Sequence, residues 1–450
     1  MDGSRQFALR SRRVVLPHGT CEAVVVVVDD RITAVHTEDL GAVAAAEDLG
    51  ELVISPGGID AHVHINEPGR SHWEGFETAT RAAAAGGITT LVDMPLNSSP
   101  VTTSSVALAE KRDVAQGKCW VDVGFYGGLV PGNAECMKQL AEDGVLGVKA
   151  FLCPSGLDEF PNCLHADLHA AIPVLVDCDL PLLVHAELTS SPAVEPTDPR
   201  SYRQYAQSRP VQWELDAIEQ MIRLCREYGI HVHIVHLACT EALPILAAAK
   251  REGLPISVET CPHYLFFDPQ LIADGDTRFK CAPPIRPNTR AALWRALVER
   301  TIDTIGSDHS PCPPELKRLS TGDFTRAWGG ISSLQLTLST MWKLCSTYGL
   351  SCLTPMSEWF AAMPAKLTGL DGRKGRLAPG LDADLVVWDP DIDWRVEETS
   401  LHHRHKLTPY EGAELKGEVR RSYLRGRLVY RDGVFLGPPS GQLLKRPAVP

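Results

Sequence analysis

Two histidines one residue apart, His62 and His64, sit in "GGIDAHVHINEPG" (57–69), directly after an apolar run. Alternate side chains of an extended strand share a face, so both imidazoles point one way while Ala61 and Val63 point the other. Paired neutral imidazoles suit a metal ion, because ring nitrogens bind zinc and its first-row neighbours. Further along, His185 closes the run "PLLVHAE" (181–187) and His236 lies near the end of "HVHIVHLAC" (231–239). Asp308 follows in "DTIGSDHSP" (303–311). Four imidazoles and a carboxylate at the ends of strand-like runs make a donor set for zinc or a similar divalent ion.

His231 and His233 repeat the spacing, but they open their strand and lie opposite in phase to His236. They read as structural. His263 and His309 are candidates for touching substrate, and His402, His403 and His405 are weaker ones in the C-terminal tail. Lys149 stands inside the apolar run "GVLGVKAFL" (144–152). An unpaired ammonium is costly to bury, so this lysine either leads its head out to solvent or serves chemistry.

Eight strand-like runs carry these groups: 58–65, 89–95, 120–128, 144–152, 181–187, 231–239, 256–264 and 303–311. Helical stretches lie between most of them. "VQWELDAIEQMIRLCREYG" (211–229) repeats apolar residues at close to the helical period, with Gly229 suited to its end. Eight strands alternating with helices predict a parallel sheet closed into a (β/α)8 TIM barrel, with active residues at the C-terminal strand ends. The rival is a doubly wound open sheet. It would carry a glycine fingerprint after its first strand, and none is present.

Both ends of the chain are β-rich. "EAVVVVVDDRITAV" (22–35) reads as a hairpin around Asp29-Asp30-Arg31, and short strands return in 375–390 and 421–435. The expected organisation is a small β-sandwich domain built from residues 1–54 and 373–450, beside a barrel over residues 55–372. Segments 188–210 and 312–330 follow strands and are rich in Ser, Thr, Pro and charge, which makes them candidate lids over the barrel rim.

The chain has 450 residues, 44% hydrophobic and 22% charged, with a formal net charge of −12. That charge argues against nucleic acid and anionic membrane surfaces as partners. Thirteen cysteines without a CxxC pair point to a reducing compartment rather than a disulfide framework. The opening Met1–Gln6 is polar, no apolar run approaches the ~20 residues of a membrane span, and the tail Arg446–Pro450 is not an SKL signal. An intracellular protein is expected, cytoplasmic or organellar, with peroxisomal or mitochondrial import left open.

The His-x-His strand, the isolated strand lysine, two later histidines and a late aspartate together resemble the cyclic amidohydrolases. That group contains the dihydroorotases, dihydropyrimidinases (hydantoinases) and allantoinases. "DAHVHINEPGRSHWEGFETATRAAAAGGITT", "DMPLNS", "ETCPHYL", "KCAPPIR", "GSDHSPCPPE", "AWGGISSLQ" and "RHKLTPYEG" are, in order, most similar to the allantoinase branch. The resemblance implies two divalent ions, zinc first, with cobalt, manganese or nickel as alternatives. His62, His64 and Asp308 would hold one ion, and His185 and His236 the other. Lys149, carboxylated by carbon dioxide to N6-carboxylysine, would bridge them together with a hydroxide.

The same resemblance implies hydrolysis of a ring C–N amide bond in a small ureide, with Asp308 as general base and then acid, and a homotetrameric assembly. Dihydroorotases carry an arginine where Asn66 stands, and dihydropyrimidinases carry a tyrosine where Pro154 stands. Both departures favour a neutral ureide in a differently built pocket. Relatives that have become structural proteins have lost metal ligands, whereas this chain keeps all six. Candidate substrate contacts are Asn66, Asn97, His263 and the backbone at Ala282, Pro283 and Pro284. Turn capping, core hydrogen bonding and loop rigidity are the competing explanations for them.

Overall fold

The computed structural model describes residues 5–40, 43, 45–350 and 353–447. The readings placed on Met1–Gln6 and on the tail therefore fall partly outside the described residues.

Eight parallel strands form the barrel: Gly58–Val63, Ile88–Asp93, Asp122–Phe125 continued by Gly127–Gly128, Val148–Phe151, Leu182–His185, Val232–Ile234, Ile256–Thr260 and Thr304–Ile305. Each falls on one of the runs read from the sequence, the second beginning one residue earlier than its run, at Ile88. The third strand joins the two arcs of the sheet, pairing with the second through Asp122–Phe125 and with the fourth through Gly127–Gly128. Closure comes from the His64 N–H, which donates to the His309 carbonyl at 2.9 Å beside a parallel bridge between Val63 and His309. Helices cover the outside, so almost every strand residue is buried and the strands read as continuous apolar runs. The helix Val211–Tyr228 ends at Gly229, whose φ of +70° is the left-handed conformation that glycine adopts without a steric penalty.

The two chain ends meet in one nine-stranded mixed sheet. Its order runs Val434–Phe435, Arg427–Arg431, Glu414–Leu424, Leu385–Arg395, Val53–Pro56, Gln6–Leu16, Gly19–Val28, Arg31–His36, with Glu47–Asp48 beside Gln6–Leu16. The hairpin expected around Asp29-Asp30-Arg31 is its edge. Alternation divides the work of its strands. Ile54, Leu385 and Val387 enter the small domain's own core, while Val53, Val386 and Trp388 join the core shared with the barrel.

A buried charge cluster ties this sheet to the barrel. Lys374 Nζ donates to Asp122 on the third barrel strand at 2.8 Å and to Asp384 at 2.5 Å, with Asp382 at 3.3 Å. Arg425 adds a second cation on Asp122. The three carboxylates lie close enough to share a metal ion, and the Lys374 ammonium already supplies the positive charge there.

Twelve described cysteines are free thiols. Among the described residues no helix is long and apolar enough to cross a membrane.

Candidate metal centre

Parallel strands that all point their C-terminal ends to one rim bring their last residues together. His62, His64, Lys149, His185, His236 and Asp308 all line one cavity of about 620 Å³ at that rim. A wider cleft of about 1170 Å³, between the helix Tyr202–Ser208 and residues 286–289, contains none of them.

Asp308 Oδ1 lies 3.2 Å from His62 Nε2 and 3.3 Å from His64 Nε2. One donor atom from each of these three buried residues falls within 4.8 Å of the others, which makes them a candidate metal-binding triad. The His236 ring stands 4.5 Å from that of His185 and 5.3 Å from that of His62, centroid to centroid, so the four imidazoles are contiguous.

Buried groups behind the rings set which nitrogen is free. His62 Nδ1 donates to Glu259 at 2.6 Å, leaving Nε2 toward the cavity. His185 Nε2 donates to Glu187 at 2.7 Å, leaving Nδ1. The Asn97 amide stands 3.3 Å from His64 Nδ1. Glu187 is itself paired with Arg209 at 3.0 Å. Partners of this kind fix tautomer and ring orientation at metal sites.

Burial lowers the pKa of His64 and His185 and takes that of His236 far below the usual imidazole range, which keeps these rings in the neutral form a metal requires. Burial alone would raise the Asp308 carboxyl, but His62, His64 and His236 hold it well below the usual carboxylate range. Glu259, against the same burial, is held at about 2 by His62 and His233.

Lys149 is only 1% exposed and its Nζ has no hydrogen-bond partner. Its head does not reach solvent. Burial moves its ammonium down to about 8. His236 Nδ1 is likewise buried without a partner. Two orphaned nitrogens beside the triad, in a wall of N and O donors, fit a first-row divalent centre.

The backbone is strained at the same places. Asp308 (φ +45°), His236 (φ +40°), Asn66 (φ +66°) and Asn97 (φ +70°) adopt left-handed conformations, each costing about 1–3 kcal/mol. The left-handed turn at Asp308 lies between the strand Thr304–Ile305 and the bridge that His309 makes with Val63, so the eighth run pairs in two pieces. At His236 it breaks the alternation on which the sequence reading relied. His233, expected on the opposite face, reaches Glu259 from 3.8 Å, and the His236 N–H reaches the same carboxylate from 3.2 Å. His233 and His231 share the Ser257 hydroxyl, each at 2.8 Å, and neither lines the cavity.

The remaining candidates divide. Asn97 and Ala282 line the cavity, as does Pro154. Asn66 lies outside the lining and donates to the Pro311 carbonyl at 3.1 Å. His263 is buried outside the lining with both ring nitrogens unpartnered. The Pro283 carbonyl accepts from the Tyr264 hydroxyl at 2.8 Å. His309 Nδ1 accepts from the Ser333 N–H at 3.1 Å, and the ring is fully buried outside the lining.

Both candidate lids contribute to the wall, through Glu195, Tyr205 and Arg209 from the first and Phe324, Ala327 and Trp328 from the second. Sequence reasoning missed Glu259, Glu187 and Arg209. The available signal was a glutamate in the middle of the apolar seventh strand, and Gly306 opposite it, where a β-carbon would collide with the Glu259 carboxylate.

Comparison with known proteins agrees with this geometry. A family model described as "Amidohydrolase family" matches residues 53–429. An allantoinase of Streptomyces avermitilis is 46% identical over 98% of this chain and 99% of its own length. An allantoinase of Arabidopsis thaliana is 43% identical over 97% of this chain and 90% of its own. Among solved structures, the L-hydantoinase (dihydropyrimidinase) from Arthrobacter aurescens superposes with a TM-score of 0.89 at 29% identity, covering 98% of this chain and 100% of that one. With a barrel closed around contiguous imidazoles, and with relatives matched along nearly its whole length, the chain belongs to the amidohydrolase family.

Proposed function

We propose that the protein is an allantoinase, which hydrolyses the amide C–N bond of the allantoin ring to give allantoate. The carrying observation is Lys149, an unpartnered buried amine lining the same cavity as four imidazoles and Asp308. Choice of substrate rests on likeness: 46% identity to an allantoinase along the chain, against 29% to a hydantoinase of the same fold.

In this reading His62, His64 and Asp308 would hold one zinc ion, His185 and His236 would hold the other, and Lys149, carboxylated on Nζ, would serve both; cobalt, manganese and nickel would suit the same donors. When bound, such a pair lowers the pKa of water and polarises a carbonyl. Asp308, ionised in the resting site, accepts the proton of the attacking water and returns it to the ring nitrogen as the C–N bond breaks. Carbon dioxide would add once to the free amine of Lys149, forming the N–C bond with loss of one proton, so that an ammonium disfavoured by burial is replaced by a carbamate anion suited to the metals. The two lid segments limit access of bulk water. A wall offering Asn97 and Ser310, with Arg209 paired to Glu187, suits a neutral ureide. The chain is expected to act as a homotetramer.

The test is a substrate panel. The metal-loaded protein is assayed in parallel on allantoin, hydantoin and dihydrouracil, and allantoin is the ring expected to open fastest. Preference for dihydrouracil overturns the assignment in favour of a dihydropyrimidinase.

A further inference from the structure

The helix His165–Asp177 covers the outside of the barrel between the fourth and fifth strands. Its first and fifth residues are His165 and His169, and side chains four apart on a helix are neighbours. Their Nε2 atoms face each other at 2.9 Å, with ring centroids 4.1 Å apart. Two ring nitrogens at that separation are both satisfied only when something positive lies between them. In the metal-free state that is a single shared proton.

Tyr228 and Glu227 end the neighbouring helix Val211–Tyr228 and stand behind His169. The Tyr228 hydroxyl lies 2.6 Å from His169 Nδ1, and Glu227 Oε1 lies 4.0 Å from the same nitrogen. Nδ1 is thereby engaged, and Nε2 is the nitrogen that His169 presents to His165. A carboxylate and hydroxyl behind an imidazole form the backing seen at metal-ligating histidines. His165 is exposed and the His169 side chain is 27% exposed, so water completes the coordination shell. The helix dipole opposes a cation at this end. Asp167, which caps the Leu164 N–H at 2.8 Å, and Glu227 offset it.

We propose that His165 and His169 form a peripheral site for one first-row divalent ion of the nitrogen-preferring class (zinc, nickel or copper(II)), sharing no residue with the centre in the barrel mouth. Binding uses both Nε2 lone pairs, so the hydrogen that lies between them in the metal-free state must leave that position.

The experiment uses the full chain with its central site zinc-loaded and titrates it with nickel alone and, separately, with copper(II) alone. The variants are His165→Ala/His169→Ala and His165→Gln/His169→Gln. His165 is exposed, His169 is partly exposed and both replacements favour helix, so the fold is retained, and far-UV circular dichroism checks this. The wild type is expected to take up one ion more per chain than either double variant. Its copper(II) electron paramagnetic resonance spectrum should show nitrogen coupling that both variants lose, with allantoin turnover unchanged. Equal uptake by all three proteins, or a nitrogen-coupled signal that persists in the double variants, overturns the proposal. The readout is metal count rather than catalysis, so failure here is distinct from failure of the proposed activity.

Discussion

Glu259 accepts the Nδ1 proton of His62 across 2.6 Å, in a pocket where both side chains are 1% exposed. This contact turns Nε2 of His62 toward Asp308. Replacing the carboxylate by an amide keeps the shape but removes the charge that fixes the tautomer. Glu259→Gln is expected to weaken metal binding by roughly 10–100-fold. Equilibrium dialysis against zinc at several free concentrations checks it, and wild-type affinity in the variant removes Glu259 from the account.

Lys149→Ala removes the amine and leaves the cavity otherwise intact. The expected result is loss of turnover with partial recovery on adding short-chain carboxylic acids, which would supply the two oxygens of the proposed carbamate. Full activity without added acid rules the carbamate out.

The same lysine makes a pH prediction. Burial penalises the ammonium, so the free amine is uncovered near pH 8 rather than at the ordinary lysine value of 10.5. Only the free amine adds to carbon dioxide. At fixed dissolved carbon dioxide, reactivation of metal-stripped protein by zinc should speed up as the pH rises toward about 8 and then level off. A rate that goes on climbing toward the ordinary value contradicts the burial argument.

Lys374 holds the small sheet to the barrel through Asp122, Asp382 and Asp384. Lys374→Met leaves the carboxylates without their central cation and is expected to cost about 3–5 kcal/mol, read from urea unfolding. Against burial, the three carboxylates raise the ammonium above its ordinary 10.5. A raised lysine stabilises fully below its unfolded value, so the wild-type contribution persists across neutral pH and declines only in stronger alkali. A variant as stable as the wild type at neutral pH contradicts this.

Lys280 donates to the Ala327 carbonyl at 2.6 Å, and Lys317 donates to the Trp328 carbonyl at 3.1 Å and to that of Gly330. Both latch the second lid. Lys280→Met is expected to make residues 323–330 roughly 10–100-fold more susceptible to proteolysis and to raise KM more than it lowers kcat. Timed digestion with and without substrate, followed by mass spectrometry, checks it.

Much of this arrangement was legible before any coordinates. His62 and His64 stand out because alternation in a strand is rigid, and His185 and Asp308 because barrel strands deliver their last residues to one rim. Lys149 stands out because a cation in an apolar run needs a reason. The residues that orient the rings were harder to see, since Glu259 reaches His62 across strands and Glu187 turns back on His185 from two residues further along the same run. Phase favours His236 over His233, yet the left-handed backbone of His236 carries it past the point where phase applies. Asn66, which sequence offered for substrate, is instead tied to Pro311.

The most direct test is to strip the protein of metal and return zinc in steps with bicarbonate present, following allantoin opening and bound metal on one sample. The account predicts no turnover in the stripped protein and activity that rises with bound metal to a plateau near about two ions per chain. Turnover without metal, or a fully loaded protein that leaves allantoin intact, contradicts it.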